Sequence, residues 1–247
     1  QRVLIHNCNL SSLPAGMERL TRMTDFEISF NALKTFDVDV TKWRMLSVLV
    51  LYQNNISIYK YNKIWTHPLI QYLDFSYNNN IELGLSQSKI FMPSLLQLAI
   101  TENNMDVKFQ LDERSFPNLL YLWLNGNYVR VFPDKSLGNS LVEFGISRCG
   151  LHELPSYLSE FQNLQYLDVR DNNISFIPDS VSKLLKKKNI EAYFHGNPVC
   201  KTHKLLDCKE LCSQFCWRRG IIGDGFCDWG CHSNDCDQDG GDCLALN

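Results

Sequence analysis

Apolar residues recur along most of this chain in short bursts separated by polar turns, and the stretch from Leu164 to Ile177 shows the unit most clearly. Leu164, Leu167 and Val169 fit a short strand with inward apolar side chains, Asn172 closes that strand at a turn, and Ile174 and Ile177 follow. Aligning the residue that closes each strand gives Cys8, Asn31, Asn54, Asn78, Asn103, Asn127, Cys149, Asn172 and Asn197, at intervals of 22 to 25 residues. An apolar pair precedes each closure, as with Leu49 and Leu51, Leu73 and Phe75, or Leu122 and Leu124. One such unit cannot bury its own apolar face, so its neighbours must stack on it. Buried turns leave backbone N–H and C=O groups unpaired, and a column of asparagine amides can both donate to and accept from them. Cysteine stands in that column at Cys8 and Cys149, and both are expected to be buried free thiols.

The pattern L-x-x-L-x-L-x-x-N-x-I-x-x-I, followed by Pro178, is identified as a leucine-rich repeat. Several turns continue as an apolar residue and proline, at Leu13-Pro14, Phe132-Pro133, Leu154-Pro155 and Ile177-Pro178, which suits short helical or 3₁₀ pieces on the convex side. The fold expected is an α/β leucine-rich-repeat solenoid of about nine turns with a parallel β-sheet on its concave face. It spans residues 1–196, is closed by a cap and linker at 197–211, and is followed by a small disulfide- and calcium-stabilised domain with little secondary structure at 212–243. A local disulfide from Cys200 to Cys208 or Cys212 would cover the last apolar face of the solenoid.

Composition narrows the function classes. A net charge of −3 over 247 residues, without a long basic run, argues against bulk attraction to nucleic acid. The longest apolar segment, Leu46 to Tyr52, is far short of the roughly 18 to 20 residues of a membrane span, although the parent protein could be membrane-anchored. Seven of the ten cysteines crowd into the last 40 residues, a density that reads as a disulfide framework made in an oxidising, extracellular compartment. Gln1 leads almost directly into a repeat strand, so a further N-terminal portion is expected outside this sequence.

The tail CSQFCWRRGIIGDGFCDWGCHSNDCDQDGGDC has six aspartates and little apolar content, and domains this small need disulfides or a metal to fold. Its G-D-G-F-C and D-x-D-G-G-D-C strings, with the spacing of the last four cysteines, resemble the Notch-type cysteine-rich repeat. That resemblance implies disulfides Cys212 to Cys236, Cys216 to Cys231 and Cys227 to Cys243, with Cys208 as the alternative first member. It also implies one calcium ion, held by Asp224, Asp239, Asp242 and the carbonyl of Phe226. Independently, carboxylates gathered by cysteines and a Gly-Gly turn would repel one another without a cation, and calcium takes 6 to 8 oxygen ligands. Zinc is a poor rival, because thiols in an oxidising compartment should be paired.

Outward positions of the strands carry Phe30, Tyr52, Tyr72, Tyr77, Tyr121, Trp123 and Tyr166, with charged neighbours that include Arg170. Exposed aromatics on a rigid sheet suit protein or glycan binding, and Phe30, Tyr52, Tyr77, Tyr121, Trp123, Tyr166 and Arg170 are the expected partner-binding set. Three N-x-S sequons, at Asn9, Asn55 and Asn173, are candidate glycosylation sites. No catalytic constellation is visible, so an enzyme is not expected. The reading that follows is an extracellular recognition module of a secreted or cell-surface protein. Alternatives are a structural segment of an extracellular assembly and, from the Notch resemblance, a calcium-dependent regulator of receptor shedding.

Overall fold

The computed structural model describes residues 1–57, 62–78, 89–108, 111–188, 190–202, 208–210, 212–213, 216, 222–228 and 231–244. The chain divides into two compact units, Gln1–Asp207 and Cys208–Asn247.

The first unit is the expected solenoid. Its strands are β1 (Arg2–His6), β2 (Asp25–Ser29), β3 (Val48–Val50), β4 (Tyr72–Asp74), β5 (Gln97–Ala99), β6 (Asp106–Val107), β7 (Tyr121–Trp123), β8 (Tyr128–Val129), β9 (Glu143–Gly145), β10 (Tyr166–Asp168) and β11 (Glu191–Tyr193). Nine of them form one parallel sheet in the order β1-β2-β3-β4-β5-β7-β9-β10-β11, while β6 and β8 pair separately. Register is constant from turn to turn: Phe26 lies beside Leu49, Leu49 beside Leu73, Leu73 beside Leu98, and Leu98 beside Leu122. These leucines and phenylalanines are at most 1 % exposed, and the column of Ile28, Leu51, Phe75, Ile100, Leu124, Ile146 and Val169 behind them is fully buried. Each repeat therefore finishes the core of the one before it.

The asparagine column works as the unpaired backbone demands. Asn172 accepts from the N–H groups of Cys149 and Leu151 at 2.9 and 3.0 Å, and its amide donates to the carbonyls of Ile146, Val169 and Arg170. Asn31, Asn54, Asn78, Asn127 and Asn197 repeat this bridging between successive turns. Immediately before each closing residue the backbone enters the left-handed region in all nine turns, with φ between 49° and 77° from Asn7 to Gly196. Seven of those nine residues are not glycine, so a strain of roughly 1 kcal/mol each is absorbed by the amide bonds that follow.

Among the described residues, convex connections include single 3₁₀ turns at Met17–Arg19, Val40–Lys42, Lys135–Asn139 and Ser156–Glu160, and an α-helix, α1 (Asp179–Lys188). Aspartates start two of them: Asp39 accepts from Thr41 N–H, and Asp134 from Ser136 N–H. Within the expected cap and linker at 197–211, residues 197–201 pack on the solenoid: Val199 is buried, and its N–H donates to Ile174 C=O at 2.9 Å.

Cys8 departs from expectation. Cys149 is buried and donates to the carbonyls of Leu124 and Ser147, but Cys8 is an exposed free thiol that reaches only His6 C=O. Cys8 follows β1, an edge strand of the sheet whose paired neighbour in this structure is β2.

The second unit has little regular structure among its described residues. Its centre is made of disulfides, with Cys216, Cys231 and Cys236 buried and Ile222 packed against them.

Candidate functional site

Two places gather the chemistry-bearing residues: the concave sheet face of the solenoid and the carboxylate cluster of the tail. On the sheet, side chains two apart on each strand point away from the core, so the parallel register lines them up in rows across the turns. One row runs Leu4, Glu27, Val50, Asp74, Ala99, Trp123, Gly145, Asp168 and Tyr193.

The N-terminal half of this face carries exposed aromatics. Rings of Phe30 and Tyr52 lie 5.3 Å apart and those of Tyr52 and Tyr77 5.1 Å apart, a continuous row over three turns. Phe30 is 48 % and Tyr72 39 % exposed. Between them Asp74 is half-buried, and its carboxylate accepts from Ser76 N–H at 2.7 Å. Burial pushes the Asp74 carboxyl up to about 6, against the lowering pull of Ser76, and nearby Glu27 adds to the rise. Burial, then the charges of Tyr77 and Asp74, pushes the Tyr52 hydroxyl up to about 12. Glu27 meets His6 Nε2 at 3.0 Å and accepts from Ser29 Oγ at 3.2 Å.

The C-terminal half is closed by its own side chains. Tyr166 and Arg170, expected among the exposed partner-binding residues, are 0 % and 6 % exposed. Rings of Trp123 and Tyr193 flank Tyr166 at 5.5 and 5.7 Å. Arg170 pairs with Asp168 through two bonds of 2.8 Å and lies over the Tyr193 ring at 6.0 Å. Gly145 makes this lateral packing possible, since a Cβ there would stand 2.5 Å from the Trp123 ring. At the rim, Arg148 bridges Glu102 and Asp171, and His195 approaches Asp171 at 4.0 Å. Of the expected aromatic set, Phe30, Tyr52 and Tyr77 are brought together; Tyr121 and Trp123 are partly exposed and lie apart from that row. Glu27 and Asp74 fall beside the aromatic row through the repeat register.

In the tail the sulfurs pair as Cys212–Cys236, Cys216–Cys231 and Cys227–Cys243, so Cys212 and not Cys208 bonds Cys236. Cys200 and Cys208 are disulfide-bonded as well. Two groupings are close enough for a metal, Cys212 with Cys216 and Cys236, and Cys227 with His232 and Cys243, but their sulfurs are consumed in disulfides and offer no thiolate. The carboxylates are different. Asp239 is fully buried; its Oδ2 accepts from Asp228 N–H, and its Oδ1 has no hydrogen-bond partner. Asp242 accepts from Gly225 N–H at 2.7 Å and Asp224 from Phe226 N–H at 2.9 Å. The Asp228 carboxyl is raised by burial and by the facing charges of Asp239, Asp224 and Asp242. A buried carboxylate oxygen without a donor, among carboxylates that repel, is a donor set that fits a hard cation.

Asn9, Asn55 and Asn173, the sequon asparagines, are all exposed beside the ladder; Asn173 meets the His152 ring at 3.0 Å. Among the described residues, no helix is long and apolar enough to cross a membrane.

Known proteins resemble the chain through its repeats. The leucine-rich-repeat family profile matches residues 163–184. Leucine-rich repeat serine/threonine-protein kinase 1 of Mus musculus is 30% identical over 210 residues, covering 80% of this chain and 10% of that protein. The transforming growth factor beta activator LRRC33 of Danio rerio is 27% identical over 188 residues, covering 72% of this chain and 27% of that protein. The chain thus spans between a tenth and about a quarter of these relatives. Among solved structures, a leucine-rich-repeat protein of Leptospira interrogans superposes with TM-score 0.54 at 19% identity, over 77% of this chain and 53% of that one. The functional domain of InlJ from Listeria monocytogenes, described as including a cysteine ladder, gives 0.55 at 19% identity, over 80% and 44%. These two likenesses support the solenoid fold.

Proposed function

We propose that the solenoid is the non-catalytic recognition part of an extracellular protein and engages a protein partner through its concave face. The observation that carries this reading is the row of Phe30, Tyr52 and Tyr77, contiguous rings on a sheet face that no other element covers among the described residues. Rigid aromatics bury much area on contact at little cost in side-chain entropy. Leucine-rich-repeat proteins act as protein-interaction modules, and one relative is named as an activator of a growth factor, which supports a recognition role. The disulfides support an oxidising compartment. Glycans on Asn9, Asn55 and Asn173 would stand beside the ladder and steer partners toward the sheet.

The tail, in this reading, is a Notch-type repeat held by one calcium ion. Asp224, Asp239, Asp242 and the Phe226 carbonyl would hold the ion, and the orphaned Asp239 Oδ1 supports that assignment.

A test of the recognition reading pans a displayed library of secreted-protein fragments against the intact chain. Selected binders are then scored on Tyr52→Ala with Tyr77→Ala, on Trp123→Ala, and on Phe176→Ala, whose side chain is 64 % exposed outside the sheet strands. Binders lost with the sheet variants and kept with Phe176→Ala support the concave face. Loss with Phe176→Ala alone moves recognition elsewhere on the solenoid.

A further inference from the structure

The two halves of the concave face differ in how their charges are answered. In the C-terminal half, Arg148 and Arg170 meet Glu102, Asp168 and Asp171 within the protein itself. In β2 to β4 and their closing rims, the outward positions hold Asp25, Glu27 and Asp74 but no lysine or arginine. Asp25 has Arg2 at 3.5 Å, and Glu27 has only His6. Asp74 faces no cation among the described residues; its neighbours are Ser76, Glu27, Tyr52 and Tyr77.

Shape points the same way. Val50 separates Glu27 from Asp74 in the register, and Ala99 follows Asp74, so the floor of this lane is low. The Phe30–Tyr52–Tyr77 row stands along one side and exposed Tyr72 along the other. Two strand spacings put the carboxylate-bearing positions about 10 Å apart, too far to share one metal ion but close to one three-residue turn of a polyproline II segment, about 9 Å, whose side chains three apart lie on the same face.

Building on the concave-face reading, we infer that this lane takes a polyproline II segment of a partner protein that carries two cationic side chains three residues apart, one turn of that helix. One cation is placed on Glu27 and the other on Asp74, and both stems lie along the aromatic row, whose ring faces attract a guanidinium as well. A neutral glycan would bury the same rings and leave Asp74 without a counter-ion. The charge, more than the apolar area, therefore identifies the occupant.

The probe is a fluorescein-labelled glycine-serine peptide with two arginines three positions apart, compared with its glutamate counterpart by fluorescence anisotropy on the intact chain. Saturable binding of the arginine peptide is expected, weakened at least tenfold by Asp74→Asn and by Glu27→Gln, and unchanged by Asp171→Asn at the closed end. Tyr52→Leu should weaken it and Tyr52→Phe should not, while far-UV circular dichroism confirms that each variant is folded. Equal binding of the glutamate peptide, indifference to Asp74→Asn, or competition by a neutral oligosaccharide alone overturns the inference. If panned binders depend on Trp123 but the arginine peptide does not bind, the lane falls while concave recognition stands. If panned binders map outside the sheet, both fall.

Discussion

At the scale of single residues, the side chains that cost stability are the informative ones. The Asp74 carboxyl is raised from 3.8 to about 6 in the fold, so the folded chain holds that proton more tightly than the unfolded chain does. Below 3.8 both states are protonated and Asp74 is neutral in its effect; above about 6 its charge opposes folding. Asp74→Asn should then raise the stability of the solenoid at pH 7.5 by about 1 to 3 kcal/mol, and leave it unchanged near pH 3.5. Urea titrations at the two pH values check this, and a loss of stability at pH 7.5 would contradict it. The ladder gives the opposite sign. Removing the amide of Asn172 strips partners from the Cys149 and Leu151 N–H groups and from three carbonyls, so Asn172→Ala should cost about 2 to 4 kcal/mol. The two free thiols should also separate chemically. Burial pushes the Cys149 thiol up to about 12, whereas Cys8 is exposed. A maleimide at pH 7.5 should label Cys8 in the native protein and reach Cys149 only after denaturation, as mass spectrometry of peptides would show.

At the scale of strands and turns, glycines decide which half of the face is open. A Cβ at Gly145 would meet the Trp123 ring at 2.5 Å and the Asn125 amide at 2.8 Å, whereas one at Gly150 meets nothing within 4 Å. Gly145→Ala should displace Trp123, uncover Tyr166 and cost about 1 to 3 kcal/mol; Gly150→Ala should cost only the strain of its φ of 71°, about 1 kcal/mol. Denaturation midpoints and the tryptophan emission of the two variants distinguish these effects. The repeats themselves were legible in sequence because their period is dictated by backbone groups that every turn must satisfy, so Asn172 and its equivalents recur whatever the neighbours are. What side chains do between strands is not periodic. Position alone makes Tyr166 an outward residue, and only the sizes of Trp123, Gly145 and Tyr193 in the adjoining rows bury it. A glycine beside a tryptophan in aligned repeats was the available signal. Arg170 is hidden for a similar reason, since its partner Asp168 lies two residues away on the same face. Cys8 shares a ladder position with Cys149 but follows the edge strand β1, whereas Cys149 follows β9, which is paired on both sides.

At the scale of the whole molecule, the two units are held by different forces, and this makes them separable by experiment. The solenoid rests on stacked apolar columns and amide ladders, each turn stabilised by its neighbours, and none of this needs a metal. The tail buries chiefly cystine sulfur and gathers Asp224, Asp228, Asp239 and Asp242, where burial and then the facing carboxylates raise the Asp228 carboxyl. Its connectivity came from resemblance to a known repeat, because six cysteines of a small domain admit many pairings that spacing alone does not sort. If a calcium ion offsets the carboxylate repulsion, a calorimetric scan of the intact chain in a chelator should lose or lower a transition belonging to the tail while the solenoid transition stays in place. Asp239→Asn should mimic the chelator in the presence of calcium, because it removes the buried oxygen that has no protein donor. Zinc in place of calcium should not restore the transition, since the sulfurs are already bonded to one another. A scan in which chelator shifts both transitions together would mean that the solenoid depends on the tail. A scan indifferent to chelator and to Asp239→Asn would remove calcium from the structure altogether and leave the disulfides as the sole support of the second unit.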